Sequence, residues 1–395
     1  MKAVGIIAEY NPFHNGHAYQ LREARHMGAT HLAVVMSGNF TQRGEPAICD
    51  KWTRARMALE CGADLVIEIP VPFACAPARD FAAAGVFLLS QLPIDTLCFG
   101  CECQSLSHLC AAARAVEQAE RHPMMKRLLD DGVSYIHARE QAVWEIAGET
   151  AAEIIRQPNN ALGIEYLRAI GRLCPQMAAW AIPRSGAGHH DERPNGAFAS
   201  ASYLRSQLQQ GNLPQLSEWM PKQAFEILSQ AVAQGRAVTS LESFSRLLLA
   251  SLRTAAPEQL RQFRDVKEGV EFRILRASKE AASLDDLLKR TATKRYSRAR
   301  MRRCLLACLL KIPQAELASP PQYLRILACN PKGRELLQRA RKRDTVPVTP
   351  KFAQLSHMGF SQAKLEAQAT DLYALMTEKA APGNWEFTQN PWILL

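Results

Sequence analysis

Apolar and polar positions follow two different rhythms along this chain. Five short runs, at residues 2–8, 31–36, 64–69, 95–99 and 177–182, are rich in Val, Ile, Leu or Ala and are bounded by turn chemistry. Runs of that length and composition predict strands buried on both faces. Between them, residues 16–27, 51–61, 79–91 and 105–121 carry apolar side chains at helical spacing. The stretch 134–172 continues in that rhythm, with a break at Gln157-Pro158-Asn159-Asn160. Strand and helix in repeated succession predict an α/β fold: a doubly wound parallel sheet, helices on both faces, right-handed crossovers.

The polar segment 185–195, with Gly186, Gly188, His189, His190 and Pro194, reads as a cover over the sheet. Beyond about residue 216 the strand pattern fades. Residues 224–234, 240–255, 257–262, 284–290, 297–310 and 333–342 favour helix. Two domains are expected, residues 1–215 holding the sheet and 216–395 mainly helical, in keeping with a length of 395 residues.

Composition narrows the class. Hydrophobic residues make up 47% and charged residues 22%, the balance of a folded globular protein. No apolar stretch reaches the roughly 18 residues of a membrane span, and the opening apolar run turns polar at Glu9, too soon for a secretory segment. A cytoplasmic protein without a membrane partner is expected. Eleven cysteines, an odd number, predict reduced thiols. Cys98, Cys101 and Cys103 lack a second ligand pair at zinc spacing, and the adjacent His189 and His190 lack a third ligand, so no protein-held metal is expected. The net charge of +10 favours an anionic partner.

Candidate chemistry concentrates where the first strand meets the first helix, at Glu9-Tyr10-Asn11-Pro12-Phe13-His14-Asn15-Gly16-His17. Two histidines at i and i+3 on an opening helical turn face one ligand. Backbone N–H groups at the helix start attract an anion, and imidazole N–H groups donate to phosphate oxygens as charge develops. Gly16 admits a ribose or base close to the backbone.

The HxGH pattern, with Ser200-Ala201-Ser202-Tyr203-Leu204-Arg205 at a later helix start, resembles the nucleotidylyltransferase superfamily and the class I aminoacyl-tRNA synthetase core, whose fold is Rossmann-like. A longer set of motifs, in order along most of the chain, resembles the tRNA(Met) cytidine acetate ligases. These are residues 9–17, Ser37-Gly38-Asn39-Phe40-Thr41-Gln42-Arg43-Gly44-Glu45-Pro46, Phe99-Gly100, Pro158-Asn159-Asn160-Ala161-Leu162-Gly163 and Lys294-Arg295-Tyr296. Where that family shows Ser-Ala-Thr and a serine after Phe-Gly, this chain has Ser200-Ala201-Ser202 and Cys101.

The resemblance implies an enzyme that uses ATP, with Mg²⁺ accompanying the nucleotide, to activate acetate as acetyl-adenylate with release of pyrophosphate. The acetyl group then passes to N4 of the wobble cytidine of elongator tRNA(Met). Matching motif positions imply ATP contacts from Ile7, Ala8, Glu9, Tyr10, Asn11, Pro12, Phe13, His14, Asn15, Gly16, His17, Ala18, Tyr19 and Gln20, and from Gly100, Asn159 and Arg184. His14 and His17 are the expected catalytic pair. Two other readings share the HxGH motif: a nucleotidylyltransferase for a small phosphorylated metabolite, and a non-catalytic RNA-binding protein on an inherited nucleotide fold.

The loop after the second strand should reach the carboxyl edge of the sheet, where open α/β folds bind ligands. Arg43, Glu45, Asp50 and Lys51 are therefore candidates to touch acetate, phosphate or cytidine. Residues 290–303 hold seven Lys or Arg and no acid. Lys294, Arg295, Arg298, Arg300 and Arg302, with Tyr296 as a stacking face, are the expected tRNA contacts. Residues 332–343, with six basic residues against Glu335, form a second candidate surface.

Overall fold

A computed structural model describes residues 1–183, 194–267, 269–294, 296–341 and 346–394. Five parallel strands form the centre of its sheet: β1 (Ala3–Ala8), β2 (His31–Ser37), β3 (Leu65–Ile69), β4 (Thr96–Cys101) and β5 (Ala178–Pro183). They match the five apolar runs to within a few residues. All residues of β2 and β3 are buried, so their patterns are continuous and not alternating.

The strand order is β5-β4-β1-β2-β3, continued by strands from the C-terminal half. The chain builds outward from β1 through β2 and β3, then crosses back to place β4 on the other side of β1. Opposite directions of winding put the intervening helices on opposite faces and open a crevice at the carboxyl ends of β1 and β4. Side-chain packing fixes one face. A Cβ on Gly85 would lie 2.6 Å from Ile7 Cδ1, and one on Gly163 would lie 2.7 Å from the Phe99 ring. Helices Ala78–Ser90 and Pro158–Leu173 therefore pack against the Ile7 and Phe99 face of the sheet.

Strands were not expected after residue 216, yet β6 (Leu324–Cys329) pairs antiparallel with β3. Two-residue strands β7 (Val348–Thr349) and β8 (Trp392–Ile393) then pair with the two ends of β6. The run Tyr323-Leu324-Arg325-Ile326-Leu327-Ala328-Cys329 is bounded by Pro321 and Pro331 and has strand length; Arg325 in its middle disguised it. Otherwise this half is helical, including Val270–Glu280 and Ser361–Ala374, which the apolar rhythm did not single out.

Arg325 is buried because its partners are. Lys51, Glu68, Arg325, Glu366 and Glu386 form one ion cluster with every side chain at most 1% exposed. Lys51 Nζ donates to Glu366 at 2.9 Å, to Glu386 at 2.5 Å and to Glu68, and Arg325 pairs with Glu386. Lys51 is thus a structural cation and not the ligand contact its position in the sequence suggested. Asp50 likewise caps helix Lys51–Glu60, accepting from Thr53 N at 2.9 Å, and pairs with Arg236 at 2.8 Å. All eleven cysteines are free thiols. Among the described residues no helix is long and apolar enough to cross a membrane.

Candidate active site

A cavity of about 330 Å³ opens at the carboxyl ends of β1 and β4, at the crevice set by the strand order. Its lining includes the polar side chains of His14, His17, Arg43, Ser202 and Arg205 and the aromatic side chains of Phe81, Phe99 and Tyr166.

Helix Asn15–His26 begins at this cavity, and the two histidines form its cap. His14 Nδ1 accepts from Gly16 N at 3.0 Å, and His17 Nδ1 accepts from His14 N at 3.2 Å. The rings stack with centroids 3.7 Å apart. A neutral imidazole that accepts at Nδ1 carries its proton at Nε2. Both rings are thereby fixed as Nε2 donors at the helix N-terminus, the arrangement suited to negative charge growing on a phosphate.

The backbone ahead of the helix is held as firmly. Tyr10 has φ +47, a region costly for a residue with a side chain. Its buried ring lies edge-on to Phe13 at 4.8 Å and to His17 at 4.7 Å, contacts that maintain this conformation. The Asn11-Pro12 peptide is cis. Asn11 Oδ1 accepts from Ile48 N at 2.7 Å, Glu9 Oε1 accepts from Gln42 N at 2.7 Å, and Arg54 donates to Glu9 O at 2.6 Å. Arg54 is fully buried and donates also to the carbonyls of Ser37, Gly38 and Cys49, so one guanidinium ties the ends of β1 and β2 together.

Three segments distant in sequence complete the rim. Ser200 caps helix Ala201–Gln209, accepting from Tyr203 N at 3.1 Å. Ser202 Oγ accepts from Arg43 Nη1 and Arg205 Nη2, both at 3.2 Å, and Arg205 also donates to Asn11 O at 2.8 Å. Burial pulls the Arg205 guanidinium below its ordinary pKa, against the opposing pull of Glu45. At the β4 end, Glu102 accepts from Asn159 Nδ2 at 2.5 Å and from the backbone N–H groups of Asn159 and Asn160 at 3.2 and 2.8 Å. Asn160 Oδ1 returns the lock, accepting from Glu102 N and Cys103 N at 2.9 Å each.

Of the expected ATP contacts, Ile7, Ala8, Glu9, Tyr10, Asn11, His14, His17, Gln20, Gly100 and Asn159 line the cavity. Pro12, Phe13, Asn15, Gly16, Ala18 and Tyr19 do not. A continuous segment entering a helix cannot turn every side chain toward one space. Phe13 and Ala18 pack in the core, Asn15 donates to Ala197 O at 2.9 Å, and Tyr19 packs against Phe198. Arg184, His189 and His190 lie outside the described residues. Sequence reasoning missed Phe81 and Tyr166, which join Phe99 in an aromatic wall and whose types signal only core packing.

The basic helix is next to this site. In the loop following β2, Gly44 has φ +81, and a Cβ there would meet Arg303 N at 2.8 Å and Arg302 C at 2.9 Å. Helix Arg298–Leu309 therefore carries the turn that bears Gln42 and Arg43, and Arg302 pairs with Glu45 across the contact. Arg298 pairs with Asp285, while the Arg300 guanidinium lies 4.7 Å from the Tyr296 ring centre. Lys294 is exposed; Arg295, Lys342 and Arg343 lie outside the described residues.

A family model described as HIGH Nucleotidyl Transferase matches residues 1–386. The tRNA(Met) cytidine acetate ligase of Acetivibrio thermocellus is 38% identical over 99% of both chains. That of Syntrophotalea carbinolica is 39% identical over 92% of this chain and 87% of its own. The crystal structure of apo Thermotoga maritima TmcAL superposes with a TM-score of 0.93 at 30% identity, and the form bound with alpha-thio ATP with 0.91 at 29%, each covering all of both chains. Sequence, fold and the paired-histidine helix start agree: the chain belongs to the HIGH nucleotidyl transferase family and, within it, to the tRNA(Met) cytidine acetate ligases.

Proposed function

We propose that this protein activates acetate with ATP and transfers the acetyl group to cytidine N4 of elongator tRNA(Met) at the wobble position. A carboxylate oxygen of acetate attacks the α-phosphorus and pyrophosphate leaves, giving acetyl-adenylate. The N4 amine then attacks the acetyl carbonyl, AMP leaves and the amine loses a proton. The observation that carries the reading is the His14 and His17 pair, both rings held as Nε2 donors at a helix N-terminus beside Arg43 and Arg205.

In this reading the histidines and the two arginines take the charge that builds on the phosphates as the pentacoordinate α-phosphorus forms. Gly100 and Asn159 hold the nucleoside end. Mg²⁺ would accompany the nucleotide, held by its phosphates, and supply a counter-charge to them. Residues 1–215 perform the activation, and the basic helix in residues 216–395 holds the tRNA against the rim. The relatives' shared name supports tRNA(Met) and acetate as substrates, and the ATP analogue bound in the Thermotoga maritima structure supports ATP.

The test is to incubate the purified protein with ATP, labelled acetate and elongator tRNA(Met). Label is expected on cytidine, dependent on ATP. Folded protein that leaves the RNA unlabelled refutes the proposal.

A further inference from the structure

Part of the cavity lining is apolar and takes no part in the phosphate chemistry. Ile7, Phe81, Phe99 and Tyr166 all belong to it, although each is at most 8% exposed. Ala78, on the first turn of its helix, lies beside them. Ile7 and Phe99 project to the sheet face covered by helices Ala78–Ser90 and Pro158–Leu173, and the Phe99 and Tyr166 rings stand 5.6 Å apart. The two rings pack on each other and, with Ile7 and Phe81, give the cavity a rigid apolar wall.

A triphosphate has no use for such a wall, and a purine edge needs the donors and acceptors found around Gly100 and Asn159. The reactant left to place has one methyl group and one carboxylate. Burial and the neighbouring Glu9 push the Tyr166 hydroxyl above its ordinary pKa, which keeps it a donor, the complement of a carboxylate oxygen.

We infer that this part of the lining is the acyl pocket: Ile7, Phe81 and Phe99 meet the methyl group, Tyr166 adds its ring and hydroxyl, and the rigid wall they form limits the chain length of the acid. The inference rests on the acetate-activating reading. A pocket fitted to one methyl group excludes each further methylene by about 10- to 200-fold in kcat/KM.

The experiment is carboxylate-dependent ATP–pyrophosphate exchange with acetate, propionate and butyrate, on wild type, Phe81→Leu and Ala78→Val. Phe81→Leu is expected to raise the butyrate-to-acetate ratio of kcat/KM at least tenfold. Ala78→Val, adding bulk at a partly exposed position, is expected to lower the propionate-to-acetate ratio without changing the KM for ATP. Acetate-dependent exchange with the same chain-length preference in all three folded proteins overturns the pocket assignment alone. Absence of acetate-dependent exchange in wild type overturns the acetate reading and this assignment with it.

Discussion

His17 accepts the backbone N–H of His14 through Nδ1 at 3.2 Å, while the two rings stack at 3.7 Å. Each histidine therefore does two things: it caps a helix with one nitrogen and offers the other as a donor. The first prediction separates these roles. His14→Ala and His17→Ala are expected to lower acetate-dependent ATP–pyrophosphate exchange by about two to three orders of magnitude. Loss of the cap alone costs stability of about 1 kcal/mol. Near-normal exchange with a lowered melting temperature would leave the pair a purely structural role.

The basic helix gives the second prediction. Arg298 is paired with Asp285 and Arg302 with Glu45, whereas the partner of Arg300 that stands out is an aromatic ring. Replacing all three arginines should weaken tRNA binding and make it less sensitive to salt. Arg300→Ala is expected to account for the largest share, since no carboxylate among the described residues competes with phosphate there. Filter binding across a salt series reads both effects, and unchanged slopes would remove this helix from the RNA surface.

The third prediction concerns Gly44. Alanine there would place a Cβ within 3 Å of the Arg302 and Arg303 backbone at φ +81, lifting the turn away from the basic helix. Lifting the turn moves Arg43 at the cavity and also the seat of the tRNA beside it, so activation loses one contribution and acetyl transfer two. Gly44→Ala is expected to reduce tRNA acetylation more than pyrophosphate exchange. Equal losses in the two assays would show that the contact serves the cavity alone.

The buried cluster yields the fourth. Three carboxylates face two cations, and burial, with repulsion from Glu366, pushes Glu68 up to about 8 from an ordinary 4.5. The folded state therefore keeps a proton that the unfolded chain releases, so this group's contribution to stability falls as pH rises from about 4.5 to 8. Glu68→Gln should flatten that part of the stability curve in denaturant melts. Lys51→Met should cost about 3–5 kcal/mol, because it strands the acids without their central cation. A Lys51→Met protein as stable as wild type would contradict the ion-pair account.

The central parallel sheet and the nucleotide crevice were legible because both are local. The strands are short apolar runs, and the histidine helix start lies within nine residues of sequence. What escaped depends on partners far apart. Lys51 looks like any loop cation until Glu68, Glu366 and Glu386 surround it, and the last two lie 315 and 335 positions away. The same distance hid β6, since the charge of Arg325 makes sense only beside Glu68 and Glu386. Phe81 and Tyr166 escaped for another reason. An aromatic side chain lining a narrow cavity and one filling a core have the same sequence signature.

The ion cluster also orders events during synthesis. It lies directly behind the loop after β2: a Cβ on Gly38 would meet the carboxylates of Glu366 and Glu68 at 2.9 and 3.0 Å, and Asn39 accepts from Lys51 N at 2.9 Å. The cluster around Lys51 is complete only once Glu386 has emerged from the ribosome, nearly the whole chain after the histidine motif. A chain broken off earlier carries every residue of the nucleotide cavity named above but only part of the support behind it, so the backing of the site is finished late although its histidines are among the first residues made.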